Sequence, residues 1–153
     1  MKRLRIEEVV EKFGDPNRLE SIMELIACLS EEDREKHFGD ILSAEESLYD
    51  WSLWGRPKQF IPDEPYYNVH LVLAGRGFGK SRMMAEWIRS KAMAVPGTRI
   101  GILGRSAADV RDVMVLGESG ILNIPQPESE RPKYRPSEAA VYWPNGSSAK
   151  MHT

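Results

Sequence analysis

The hydrophobic and polar positions along the chain change period twice, which divides it into three stretches. In the first, up to about residue 54, Leu19, Ile22, Met23, Ile26 and Leu29 recur at helical spacing. Such a stripe predicts an amphipathic helix with one buried face. Asp15-Pro16 sets its start, with proline at the first helical position, and Gly14 ends whatever precedes it. Ser30-x-x-Asp33 and Ser43-x-x-Glu46 both match the capping box, in which two side chains satisfy orphan amides at a helix start. The second of these is expected to open a helix ending near Trp54-Gly55.

After a proline-rich connector from Arg56 to Pro65, the pattern becomes an unbroken apolar run with β-branched residues, Val69-His70-Leu71-Val72-Leu73. Such continuity predicts a strand buried on both faces. From Ser81 to Ala94 the period is helical again, with Met84, Trp87, Ile88 and Lys91-Ala92 on one stripe, and Pro96-Gly97 stops it. Thr98 to Leu103 reads as a second strand and Ser106 to Leu116 as a second helix, capped by Ser106-x-x-Asp109. Strand, loop, helix, strand, helix implies an α/β fold, a parallel sheet covered by helices. The third stretch, Gly117 to Thr153, has prolines at 125, 127, 132 and 136 and reads as a surface excursion. It closes on a hairpin, Ala139–Trp143 and Ser147–Met151 about Pro144-Asn145-Gly146.

Composition narrows the class without naming a function. With 153 residues, 41% hydrophobic and 29% charged, the chain resembles an ordinary globular protein of about one domain. A net charge of −2 offers no strong overall field for nucleic acid, so any such contact must be local. The single cysteine, Cys28, excludes an internal disulfide, fits a reducing compartment and reads as a core residue. No 18-residue apolar stretch exists, and basic Met1–Arg5 is followed by Glu7 and Glu8 rather than an apolar segment, so neither membrane nor secretion is indicated.

The chemistry concentrates in Ala74-Gly75-Arg76-Gly77-Phe78-Gly79-Lys80-Ser81, which fits G-x-x-x-x-G-K-[ST] except for alanine in the first position. Glycines let the backbone turn tightly and aim successive N–H groups at phosphate oxygens, and the following helix presents its positive end to the same anion. Lys80 is expected to reach the β- and γ-phosphates of a nucleoside triphosphate and Ser81 to ligate Mg²⁺. A dinucleotide or kinase G-x-G-x-x-G fingerprint would need glycine where Lys80 stands. Upstream, Trp54-Gly-Arg-Pro-Lys-Gln59 carries an amide able to pair with the N6 and N7 edge of adenine; a solvated turn is the plainer reading of the same residues.

Taken together, these segments resemble the ATPase domain of phage terminase large subunits, the motors that package DNA into procapsids. The resemblance is carried by the tryptophan-rich helix into Arg56-Pro-Lys-Gln59, by Leu73-Ala-Gly-Arg-Gly-Phe-Gly-Lys-Ser-Arg82 with Ala85-Glu-Trp-Ile-Arg89, by Ser106-Ala-Ala-Asp-Val-Arg-Asp-Val-Met114, and by Val141-Tyr-Trp-Pro-Asn-Gly146. It implies a P-loop NTPase-type sheet, incomplete here, in residues 55–153, preceded by a helical segment in residues 1–54. It implies ATP and Mg²⁺ as cofactors, with Ala74, Gly75, Arg76, Gly77, Phe78, Gly79, Lys80, Ser81 and Arg82 at the phosphates and Gln59 at the base. Lys80 would be catalytic. Arg76 has two readings, one in which it rearranges with the γ-phosphate and one in which it is solvated at the loop tip. Arg105, Arg111, Arg131 and Arg135 are candidates for a finger reaching a neighbouring subunit's ATP.

The same resemblance implies double-stranded DNA, a portal protein and a small terminase subunit as partners, a homo-oligomeric ring, and the host cytoplasm as the site of action. Residues 1–47 would either bind the small subunit or pack against the sheet. Two parts of the family pattern are not found. No apolar strand ends in the Asp-Glu pair that holds Mg²⁺ and activates water; Asp109, Asp112, Glu118, Glu128, Glu130 and Glu138 lie on a helix or among prolines. That element is expected after residue 153, and the nuclease domain is missing too. The expectation is therefore an N-terminal piece that binds ATP–Mg²⁺ weakly and hydrolyses little. The alternatives are a catalytically inert nucleotide-binding or interaction module from a truncated or interrupted gene, and another P-loop ATPase such as a helicase.

Overall fold

In the computed structural model, residues 21–27, 29–43, 45–61 and 69–153 are described, and the chain divides into two units, residues 1–66 and 67–153, each taken by itself. In the first unit helices begin where side chains satisfy their first amides. Ser21 Oγ accepts the Glu24 N–H at 3.2 Å while the Glu24 carboxylate accepts the Ser21 N–H at 2.9 Å, a reciprocal box that opens α1 (Ile22–Ala27). The expected start at Gly14-Asp15-Pro16, together with Leu19 and Cys28, lies outside the described residues. Ser30 Oγ accepts the Asp33 N–H at 3.1 Å and opens α2 (Glu31–Ser43) as its motif predicts. Ile26 and Phe38 are buried together, with Ile22, Met23 and Leu29 packed around them.

The continuous helix expected from Ser43 to Trp54 is divided. A 3-10 turn, Glu45–Tyr49, is followed by α3 (Trp51–Trp54), because Asp50 is extended and its carboxylate accepts the Ser52 N–H at 2.9 Å, restarting the helix. The side chains of Ser43 and Glu46 lie outside the described residues.

In the second unit α4 (Lys80–Ala94) follows the glycine loop. Its buried positions are Met83, Ala85, Glu86, Ile88 and Ala92. Of the stripe expected through Met84, Trp87, Ile88 and Lys91-Ala92, Ile88 and Ala92 are buried and Trp87 packs against the core, while Met83, Ala85 and Glu86 extend the buried face to the other side. β1 (Arg99–Leu103) comes next, then one α-turn, α5 (Ala107–Asp109), capped by Ser106 Oγ on the Asp109 N–H at 3.1 Å. The helix expected to run on to Leu116 widens instead into a π-helix, Val110–Val115, in which the Leu116 N–H donates to Arg111 O, five residues back, at 2.8 Å.

Residues 117–126 are not the surface excursion that their prolines suggest. A turn closed by the Gly120 N–H on Gly117 O folds the chain back, and Ile121 and Ile124 are 0% and 1% exposed in the same core as Ile88, Ile102, Val110 and Trp143. The turn requires glycine: a Cβ on Gly120 would lie 2.7 Å from Val115 O. Each isoleucine so buried contributes about 2–3 kcal/mol.

The last three strands are β2 (Lys133–Arg135), β3 (Ala140–Tyr142) and β4 (Ser148–His152), and the sheet order is β1-β4-β3-β2. Only β1 and β4 run parallel; β2, β3 and β4 form an antiparallel meander, so the molecule is mixed α/β with a mixed sheet rather than a parallel one. The hairpin at Pro144-Asn145-Gly146 is present, with Tyr142 opposite Ser148. Ile100, Ile102, Val141, Ala149, Met151 and Tyr134 turn one face of this sheet to the core.

The strand expected over Val69–Leu73 is not formed. The run pairs with no strand of the sheet, and Val69, Leu71 and Leu73 are 81%, 74% and 86% exposed. Apolar continuity expresses a demand for burial, but a strand also needs a neighbour whose backbone groups pair with its own, and among the described residues β1 pairs with β4 and leaves its other edge open. No helix among the described residues is long and apolar enough to cross a membrane.

The hairpin turn closes the far end of α4. Asn145 Nδ2 and Ser147 Oγ both donate to Ala92 O at 2.8 Å, Ser147 Oγ also lies 3.3 Å from Val95 O, and it accepts the Thr98 N–H at 3.1 Å. Ser147 is 0% exposed. Ser147→Ala removes the hydroxyl's bonds while Asn145 still donates to Ala92 O and Thr98 to Val95 O, and is expected to cost about 1 kcal/mol, measured as a lowered urea midpoint at unchanged slope.

Candidate functional site

The loop Ala74–Ser81 turns on Gly77 and Gly79, whose φ angles of 82° and 89° lie in the left-handed region that glycine enters without strain. Gly79 caps α4, and its carbonyl accepts the Met83 N–H at 2.9 Å, so the helix starts directly from the loop. The first amides of α4 and its positive dipole end are thereby aimed at the loop's concave side.

Lys80 folds back across this loop, its Nζ donating to Ala74 O at 2.9 Å and to Gly75 O at 2.7 Å. An ammonium has three donors, and here two carbonyls hold it over the loop mouth. Arg76 is exposed and, among the described residues, has no hydrogen-bond or ion-pair partner. Beside them opens a cavity of about 540 Å³. Arg76, Gly77, Gly79, Lys80, Ser81 and Arg82 form one wall, and Asp112, Val113, Gly117, Glu118 and Ser119 form the other.

Sequence reasoning missed that second wall. The π-helix advances Asp112 and Val113 and the glycine turn advances Glu118 and Ser119. The visible signal was Gly117-Glu-Ser-Gly120 directly after a helix, obscured by the prolines that follow. The Arg111 guanidinium, 2.7 and 3.0 Å away, holds the Asp112 carboxyl below its usual range. The cavity therefore sets cations against carboxylates across a small space.

Arg82 connects the loop to a buried ion network. Its guanidinium lies 2.7 Å from Glu86, which is 5% exposed; Arg89 is 3.8 Å from Glu86 and 2.6 Å from Glu130. Burial pushes the Glu86 carboxyl above its ordinary value of 4.5, and Arg82 and then Arg89 oppose the shift.

Of the other expected site residues, Phe78 is half-buried and stands apart from the cavity lining. Gln59 belongs to the first unit, where its Oε1 accepts the Arg56 N–H at 2.9 Å and closes the 3-10 turn Pro57–Gln59; it is 7% exposed. The candidate finger arginines all have carboxylate partners. Arg105 meets Asp109 at 3.4 Å, Arg111 meets Asp112, Arg131 meets Glu128 at 3.4 Å, and Arg135 meets Glu138 at 3.0 Å.

The residues fit a phosphate group. Gly75, Gly77 and the start of α4 offer backbone donors, Lys80 and Arg76 offer charge, and a Cβ built on Gly75 or Gly77 meets nothing within 4 Å, so the loop's approach is open. Among the described residues no group of three or more His, Cys, Asp or Glu side chains is placed to hold a metal. Any Mg²⁺ here would rely on Ser81 and on phosphate oxygens.

Because the raised Glu86 value favours the protonated form in the folded protein, its contribution is present below the ordinary glutamate value and lost as pH rises through the raised one. Glu86→Gln cannot ionise. Its stability relative to the parent chain is expected to rise as pH increases above the ordinary glutamate value of 4.5, seen as a difference in urea midpoints that changes with pH; parallel profiles would contradict this.

A family model described as terminase large subunit, T4likevirus-type, N-terminal, matches residues 71–152, more than half of the chain. The matched span contains the loop from Leu71 onward, both cavity walls and all four strands. No curated protein and no solved structure matches.

Proposed function

The chain belongs to the terminase large subunit family of T4-like type, and from that premise we propose that it is the ATP-binding part of a motor that packages double-stranded DNA into procapsids. The observation that carries the nucleotide reading is the pairing of Lys80 and the unpartnered Arg76 over a glycine loop that opens on a cavity of about 540 Å³, within the range of small-molecule sites. In this reading Lys80 leaves the Ala74 and Gly75 carbonyls for the β- and γ-phosphates. The amides of the loop and the start of α4 hold the phosphate oxygens, Arg76 adds charge at the γ-phosphate, and Arg82 stays oriented by Glu86. Mg²⁺, when bound, neutralises phosphate charge, with Ser81 as its protein ligand.

The partners that follow are a portal protein, a small terminase subunit and further copies in a ring, acting in the host cytoplasm. A second reading, a nucleotide-binding module without turnover, draws on the two carbonyl bonds that already satisfy Lys80. Supplying the Asp-Glu strand in an extended chain separates the two readings: turnover of labelled ATP that then appears and is abolished by Lys80→Ala supports the first, and binding with negligible turnover even then supports the second.

Lys80→Ala is expected to weaken ATP–Mg²⁺ binding at least about tenfold in calorimetric titration, since a charge-assisted contact is worth roughly 1.5–3 kcal/mol. Ser81→Ala is expected to remove most of the Mg²⁺ dependence while leaving Mg²⁺-free nucleotide binding nearly unchanged. If Lys80→Ala binds ATP as the parent does, the loop is not the nucleotide site.

A further inference from the structure

The face of the sheet that turns away from the core is cationic. Opposite residues in a sheet share a face, so the register Lys133↔Tyr142↔Ser148↔Arg99 forms one row and Arg135↔Ala140↔Lys150↔Gly101 the next. Arg99, Lys133, Arg135, Lys150 and His152 are exposed on that face, and the four strands contain no Asp or Glu. Residues 67–153 hold twelve Lys and Arg against seven Asp and Glu, a net of +5, whereas residues 1–66 hold nine against sixteen, a net of −7. The near-neutral total therefore hides a local field.

Arg135 is bonded to Glu138, but Arg99, Lys133 and Lys150 have no ion-pair or hydrogen-bond partner among the described residues, although Lys150 contributes to the field at Glu138. Four strands at ~4.8 Å spacing separate Lys133 from Arg99 by roughly 14 Å, and the two rows lie about 6.7 Å apart.

We propose that this sheet face binds the phosphodiester backbone of a nucleic acid duplex. An array of unpaired cations about as wide as a ~12 Å major groove meets phosphates of both strands. A duplex is favoured over a single strand because Tyr142 is the one Phe, Tyr or Trp ring that the described strands place on this face, and one side of that ring is already covered. Its hydroxyl lies 2.5 Å from Glu138, and the Arg135 guanidinium covers its ring at 4.6 Å. The choice of DNA as the duplex rests on the packaging reading above; the charge on the face does not.

The test uses the whole chain and a fluorescent 30-base-pair DNA duplex, with the matching single strand as a second arm, in anisotropy titrations from about 50 to 200 mM salt. The triple variant Arg99→Gln, Lys133→Gln, Lys150→Gln is expected to weaken duplex binding at least about tenfold at the low-salt end. It should also shrink the slope of log affinity against log salt by about 3. The charge-preserving triple Arg99→Lys, Lys133→Arg, Lys150→Arg should bind as the parent does.

An unchanged slope in the Gln triple, equal loss in both triples, tighter binding of the single strand, or no duplex binding by the parent chain overturns the proposal. So does a Gln triple that keeps DNA but loses self-association in light scattering, which would assign the face to the acidic residues 1–66 of a second copy. ATP titrations on the same samples keep the two readings apart. A parent chain that binds duplex through this face but not ATP supports this proposal and removes the nucleotide site.

Discussion

The second unit depends on how the end of one helix is closed. An α-helix leaves its last carbonyls unpaired, and at α4 the Ala92 carbonyl is taken by Asn145 and Ser147 from the hairpin turn, more than fifty residues on. Ser147 also accepts the Thr98 N–H, just before β1 begins. One buried hydroxyl thus ties together the helix, the strand that follows it and the hairpin that supplies the strand beside it. Since α4 starts from the glycine loop, closing its far end also fixes where the loop stands against the sheet.

At the other end of α4 the governing term is electrostatic. Lys80 rests on two loop carbonyls, and Arg82 faces the cavity while its guanidinium bonds a buried carboxylate. Breaking a buried pair on one side leaves an uncompensated charge, a larger cost than the pair's own net worth. Glu86 therefore restrains Arg82 at the cavity wall, with Arg89 and Glu130 completing the chain of charges. The opposite wall carries Asp112 and Glu118, so an anion entering the cavity would meet donors on one side and carboxylates on the other.

Much of this was legible before any coordinates. Ser30 and Ser106 cap the helices their spacing predicts, Pro96-Gly97 ends α4, Asn145-Gly146 makes the hairpin, and the glycine pattern sets the loop before α4. These are local signals, each resting on bonds made within a few residues. Where the reading failed, distant partners decided. Val69–Leu73 has the apolarity of an interior strand but pairs with none of the four strands of the described residues. The prolines after Gly117 suggested a surface path, yet Ile121 and Ile124 are drawn into the core by a tight glycine turn.

The sequence by itself determined the glycine loop, the helix that follows it, the strand Arg99–Leu103 and the hairpin in the second unit, and the family to which the chain belongs, because each is encoded by short-range spacing. The tertiary structure alone decided that the sheet is mixed, that the cavity has a second wall from the π-helix and its turn, and that Glu86 is a buried charge rather than a solvated one. It also decided which cations share a face, since strand register is set by pairings between segments far apart in the chain, and no local pattern records them.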